Sequence, residues 1–202
     1  MTRDIRFHSR GVVGGIVLTS AALLVVCSEP YIKEGTWGVL VLEVLSYATF
    51  LSGLALRFLA TLYLGGRKDH AIITEGPYSI CRNPLYVGSF LIAVSAGLLL
   101  QSAIFALALA LVVGFYMTAT VPAEEKFLLE RFGDSYKSYC QTVPRFWPRF
   151  SSFHSPPILE VNLKGLKREC KRALVWIWLP MIGELITGLR CEHWWPHWFR
   201  LL

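Results

Sequence analysis

Residues 84–121 read PLYVGSFLIAVSAGLLL, then QS, then AIFALALALVVGFYMTATV, without a single charged side chain. A helix rising 1.5 Å per residue needs about 20 residues to cross a hydrocarbon core of about 30 Å. Pro84 to Leu100 and Ala103 to Val121 are therefore two crossing helices. The link between them, Gln101 and Ser102, is so short that they form an antiparallel hairpin. Working outward, Gly11 to Cys27 is a slightly short charge-free run. Trp37 to Leu64 is a long one, interrupted only by Glu43 and Arg57. A last stretch, Ala173 to Leu189, contains Pro180 and Glu184 and is compatible with spanning, re-entering or lying in the interface. The fold class is all-α, a polytopic membrane bundle of four to five helices.

Composition agrees. Of 202 residues, 54% are hydrophobic and only 17% charged, with a mean hydropathy of +0.47. Soluble domains carry about 25% charged residues, and the apolar content excludes a disordered chain. Five scattered cysteines (27, 81, 140, 170, 191) form no pair at metal-ligand spacing, and no metal site is expected. The first run has a basic start and resembles a signal peptide, but Val25 to Cys27 is no small-x-small cleavage site, so an uncleaved anchor is expected.

Charge placement sets the orientation. Arg3, Arg6 and Arg10 precede the first run, and Arg67, Lys68 and Arg82 separate the second from the third. Ten Lys or Arg residues lie between Pro122 and Arg172, whereas the first loop has Lys33 against Glu29 and Glu34. By the positive-inside rule the N-terminus and the basic loops are cytoplasmic. The net charge of +6 then reflects topology and anionic lipid, and no basic face interleaved with aromatics points to nucleic acid. Two rows of small residues, Ser89-Ala93-Gly97 and Ala106-Ala110-Gly114, are expected at helix contacts. Glu43, Ser46, Gly53 and Arg57 share one face, expected to look inward.

The chemistry-bearing residues cluster on the cytoplasmic side. His70 to Tyr86 contains a Gly76-Pro77 turn and an Asn83-Pro84 helix start. Asn caps free N–H groups and Pro suits the first helical position. A helix N-terminus at the membrane edge favours an anionic group, and Arg82 adds a planar fork suited to carboxylates. After the hairpin come Glu124 and Glu125, then Phe132-Gly133, Tyr136 and Tyr139 on one helical face, and Val143-Pro144-Arg145. The hairpin returns the acidic pair to the side that carries Arg82. A carboxylate facing a helix start suits a zwitterion better than a simple anion.

Gly76-Pro77-Tyr78, then Arg82-Asn83-Pro84-Leu85-Tyr86-x-Gly88, together with Glu124-Glu125 and the residues after them, resembles the signature of the isoprenylcysteine carboxyl methyltransferase and phospholipid methyltransferase superfamily. The likeness runs from about Leu54 to Pro148. It implies a membrane methyltransferase with S-adenosylmethionine as donor, bound in a cytoplasmic pocket. It implies cofactor contacts from His70, Ala71, Ile72, Ile73, Tyr78, Asn83, Pro84, Leu85, Tyr86 and Glu124, with Arg82, Glu124 and Glu125 as catalytic candidates. The implied acceptor is lipophilic, foremost a prenylcysteine-type carboxylate. Two departures stand out. The family usually has His at the position of Asn83, and the prenylcysteine enzymes place an Arg just before the acidic pair, where Tyr116 to Ala123 offer none. Arg57 and Arg145 are the candidates to hold a substrate carboxylate in its stead.

The alternatives are a phospholipid amine or small-thiol methyltransferase of the same superfamily, an NADPH-dependent membrane reductase, and a non-catalytic scaffold or transporter. The absence of a basic cluster for a 2′-phosphate weighs against the reductase, and the absence of an inverted repeat weighs against the transporter. A core over 1–150 and a tail over 151–202 are expected. In the tail, Lys164, Lys167, Arg168, Lys171 and Arg172 read as a basic helix on anionic lipid, and Trp194, Trp195 and Trp198 as an interfacial anchor.

Overall fold

The computed structural model describes residues 2–28, 36–65, 71–196 and 198, with side chains from residue 14 onward. His70 lies outside these residues, as do the loop charges Glu29, Lys33, Glu34, Arg67 and Lys68. Apart from a single bridge residue at Ser28, everything described is helix, turn or irregular chain. The helices are α1 (Thr2–Val26), α2 (Trp37–Leu64), α3 (Pro77–Ile80), α4 (Pro84–Leu100), α5 (Ala103–Phe115), α6 (Val121–Phe132), α7 (Asp134–Thr142), α8 (Leu163–Trp176) and α9 (Trp178–Cys191). A π-helical turn, Tyr116–Thr120, joins α5 to α6, so the helical stretch does not stop near Val121. Pro122 lacks an N–H and cannot close an ordinary turn, and a π turn just ahead of it accommodates that loss.

Three helical stretches, Trp37–Leu64, Ala103–Phe132 and Leu163–Cys191, are long and apolar enough to cross a membrane, and Gly14–Val26 and Pro84–Leu100 are shorter apolar helices. Many of their large side chains point outward, among them Leu23, Leu51, Leu107, Leu111 and Leu185. Exposed apolar faces on this scale are what a lipid-embedded surface requires. The chain is a multi-pass membrane protein. The stretch left open by the sequence, 173–189, is helical apart from a break at Ile177, and Pro180 sits in the first turn of α9, where it costs no hydrogen bond.

The chain divides into two compact units. One comprises Met1–Phe50, Ala93–Thr120 and Trp178–Leu202, the other Leu51–Ile92 and Val121–Ile177. The tail from 151 on is thus shared between them.

In the first unit, Ala21, Val25, Leu100 and Phe105 form the core, flanked by Leu18, Ala96 and Ile186. Gln101 takes a left-handed φ of 46° and Ser102 caps α5 through Phe105 N–H, which closes the two-residue hairpin turn. Arg190 is 1% exposed. Its guanidinium donates to the carbonyls of Ser28 (2.9 Å) and Leu100 (2.8 Å), joining the ends of α1 and α4 to α9. Trp195 donates to the Val26 carbonyl at 2.7 Å, so this tryptophan is tied to protein backbone.

Among the described residues the row Ala106-Ala110-Gly114 is not a contact face. Ala106 and Ala110 are exposed, and nothing lies within 4 Å of a Cβ built on Gly114. Phe105 and Leu109 are the buried residues of α5. A helix presents several small-residue rows, and packing against bulky neighbours selects among them.

In the second unit the close approach is between Gly53 and Gly88. A Cβ on Gly53 would stand 2.7 Å from the Gly88 carbonyl, and one on Gly88 would stand 2.6 Å from Arg57 Cγ. The expected inward face of α2 is observed, with Ser46, Gly53 and Arg57 all buried and Glu43 partly so. A second cluster, Tyr136, Tyr139 and Val143, packs against Ile72, Leu128 and Phe132.

Candidate active site

The second unit carries a pocket that is open on one side, its empty space amounting to about 760 Å³ with the mouth and adjoining solvent included. It is built on the loop between α2 and α4. Gly76 stands just before α3 in this loop at a φ of 58°, and a Cβ there would run into the Tyr63 ring at 2.4 Å, so only glycine fits. Ser79 Oγ donates back to the Gly76 carbonyl at 2.6 Å. The loop then pairs with residues 144–154 through three main-chain bonds. Gly76 N–H donates to His154 O (2.8 Å), Arg149 N–H to Ile80 O (2.9 Å), and Arg82 N–H to Pro144 O (2.8 Å). The order of partners is antiparallel.

Pro84 opens α4, and the N–H groups of Tyr86 and Val87 both reach the Asn83 carbonyl at 3.1 Å. The Asn83 side chain looks across instead, its Nδ2 donating to Glu125 Oε1 at 3.0 Å and to Arg145 O at 3.3 Å. Glu125 is the hub. Arg145 grips its Oε2 through two nitrogens at 2.6 and 2.9 Å. Arg82 Nε stands 3.2 Å from Oε1, an ion pair without hydrogen-bond alignment. Arg82 also donates to the Cys140 carbonyl at 2.9 Å. Glu125 is 8% exposed, so both its oxygens are spent on protein partners. Its neighbour Glu124 faces the pocket and accepts from Tyr86 Oη at 2.8 Å.

The pocket walls combine Ala71, Ile72, Ile73, Leu64, Leu85 and Leu128 with the polar groups of Tyr78, Arg82, Asn83, Tyr86, Glu124, Tyr136 and Tyr139. Every sequence-assigned donor residue within the described chain lines it, Pro84 included. Glu125, Arg57 and Arg145 do not. Arg57 is 7% exposed and lies in a bidentate pair with Glu169, at 2.6 and 3.1 Å. Leu64, Leu128, Tyr136 and Tyr139 were not assigned from sequence. The two tyrosines had a signal, their shared helical face, whereas the leucines look like any apolar residues.

Burial raises the Tyr78, Tyr136 and Tyr139 hydroxyls above the ordinary tyrosine range and pushes the Cys81 thiol up to about 11. These groups stay protonated at neutral pH and serve as donors or packing. Tyr139 Oη donates to the Tyr78 carbonyl at 2.7 Å, closing one wall. Among the described residues no three metal-ligating side chains converge.

The described chain is all-helical and carries a polar-lined pocket walled by both sequence motifs. Residues 35–135, half of the chain, match the family described as phospholipid methyltransferase, and the chain belongs to that family. It is 30% identical to the nickel-cobalt-cadmium resistance protein NccN of Alcaligenes xylosoxydans xylosoxydans, over 69% of this chain and 65% of that one. It is 28% identical to the cobalt-zinc-cadmium resistance protein CzcN of Cupriavidus metallidurans, over 75% and 69%. Protein-S-isoprenylcysteine O-methyltransferase of Schizosaccharomyces pombe is 38% identical over 38% of this chain and 33% of its own. The match thus spans about two thirds of the first two relatives and a third of the last. No solved structure matches significantly.

Proposed function

We propose that the chain binds S-adenosylmethionine in this pocket, at the cytoplasmic face, and methylates a lipophilic acceptor of the prenylcysteine-carboxylate type. The observation that carries the reading is the pocket itself, where Tyr86 of the first motif donates to Glu124 of the second and residues of both motifs form the lining. The residues fit the donor. The α4 N-terminus with Arg82 and Asn83 suits its carboxylate, Glu124 suits its ammonium, and the Ile72–Ile73 and Leu128 walls suit its adenosine. When bound, the donor supplies a methyl group on a sulfonium.

The protein's work is then to bind, orient and exclude water, since a carboxylate acceptor is already ionised and needs no base. Fixed approach geometry is worth roughly 7–11 kcal/mol in well-oriented systems. Held by Arg82, Asn83, Glu124 and the Ile72–Ile73 and Leu128 walls, the donor would supply its sulfonium methyl to that carboxylate.

One observation favours a second acceptor class, a phospholipid amine. Both arginines considered for an acceptor carboxylate are already paired, Arg57 with Glu169 and Arg145 with Glu125. An amine must lose a proton, and Glu124 is the carboxylate that faces the pocket.

Calorimetry on the purified protein in detergent tests the donor. Binding is expected, weakened by Glu124→Ala, and absence of binding by the wild type overturns the proposal. Labelled methyl transfer into prenylcysteine or phosphatidylethanolamine vesicles separates the acceptors, because a methyl ester releases methanol in mild base and an N-methyl product does not.

A further inference from the structure

Outside the pocket, the most tightly organised polar group in the second unit is Arg57. Its Nε and one terminal nitrogen hold Glu169 of α8. The other terminal nitrogen donates to Ser89 Oγ at 2.5 Å and to the Leu85 carbonyl at 3.1 Å. Ser89 Oγ itself donates to that same carbonyl at 2.9 Å. Trp176 covers the guanidinium, with Cζ 4.6 Å from the ring centroid. The seat is made possible by Gly88, whose absent Cβ leaves room for the Arg57 stem. Leu85 and the adjoining Tyr86 are pocket walls, and Tyr86 carries the bond to Glu124. A continuous polar chain therefore runs from Glu169 through Arg57 and the first turn of α4 to the carboxylate facing the pocket.

We propose that Glu169 is a positioning residue for the donor site. It fixes the Arg57 fork so that the Leu85–Tyr86 turn is held at the right depth, making α8 a working wall of the catalytic unit. This deepens the reading of the pocket as the donor site and rests on it. Glu169 lies beyond the family match at 35–135, so the element is supplied by the chain's own C-terminal segment. The chemistry suits a fixed rather than a mobile contact. Glu169 is 3% exposed, and a planar fork gripped at both oxygens has one geometry. With Glu169 neutralised, the Arg57 fork loses its charged partner and is left with the Ser89 hydroxyl and the Leu85 carbonyl, so the pull on the first turn of α4 changes.

The test uses the full chain in lipid nanodiscs, with donor affinity from calorimetry and helix content and melting temperature measured alongside. Glu169→Gln is expected to raise the donor Kd about tenfold while the protein stays folded at the assay temperature. Glu169→Asp, which keeps the charge on a shorter stem, should recover part of that loss and serves if the Gln variant does not fold. Arg172→Ala is the control, since Arg172 is half-exposed and contacts Glu169 from the outside at 3.2 Å. It should leave donor affinity within twofold. Tyr86→Phe should weaken binding in the wild type and add little to Glu169→Gln, because both act through one turn. A lowered melting temperature with unchanged donor Kd, or independent effects of the Glu169 and Tyr86 changes, overturns the proposal. No binding by the wild type overturns the donor reading and this inference with it, whereas binding by the wild type and by Glu169→Gln alike overturns this inference alone.

Discussion

Glu124 and Glu125 are chemically identical neighbours, and the structure assigns them opposite phenotypes. Replacing Glu125 by Ala removes the partner of Arg82, whose side chain is 12% exposed, and the acceptor for Asn83. Losing one member of a buried pair costs about 3–5 kcal/mol. The Arg145 contact adds about 0–1 kcal/mol, because that side chain is 43% exposed and returns to water. For a chain of this size each kcal/mol moves the melting temperature by about 2–4 °C, so a fall of about 6–24 °C is expected. Among the described residues Glu124 has one side-chain hydrogen bond to lose, the one from Tyr86. Glu124→Ala should cost about 1 kcal/mol of stability but most of the donor affinity. The assay is thermal unfolding in detergent with and without S-adenosylmethionine. Wild-type stability in Glu125→Ala, or a larger stability loss in Glu124→Ala than in Glu125→Ala, refutes the division of labour.

Two further outcomes follow from packing and burial. Gly53→Ala and Gly88→Ala should each destabilise by about 1–3 kcal/mol through overpacking, because the added Cβ meets backbone oxygen at 2.7 and 2.8 Å. Gly114→Ala, with open space around it, should not, and melting temperatures decide. The acids Cys81, Tyr78, Tyr136 and Tyr139 have folded pKa values raised by burial. Their contribution to stability is therefore intact below the unfolded values and is lost as pH rises through the folded ones. Melting temperature should hold up to about pH 9, the ordinary cysteine value, and fall above it. Alkylation at pH 8 should label the exposed Cys170 and spare the buried Cys81, and equal labelling would contradict this.

The membrane helices and one wall of the pocket were legible because each rests on local sequence. Apolar runs set the spans, and the Gly76 and Pro84 motifs set the loop. Roles that depend on long-range partners were not. The pair Glu124-Glu125 gives no hint which carboxylate will be buried, since that depends on Arg82 and Arg145 arriving from two other segments. Arg57 looked free for a substrate because its partner Glu169 is 112 residues away. The Ala106-Ala110-Gly114 row, which meets no neighbour among the described residues, differs from expectation for a related reason. Spacing shows that helices can approach, and only the neighbour's bulk decides on which row they do.

The antiparallel pairing of 76–82 with 144–154 bears on how this family can vary. Its bonds join main chain to main chain, so substitutions leave them intact while a single insertion or deletion in either segment throws the partners out of step. Relatives should therefore preserve the lengths of these two segments more strictly than their residue identities. A change of side chain at position 83 is the kind such a frame tolerates. An extra residue between Gly76 and Arg82 is the kind it does not.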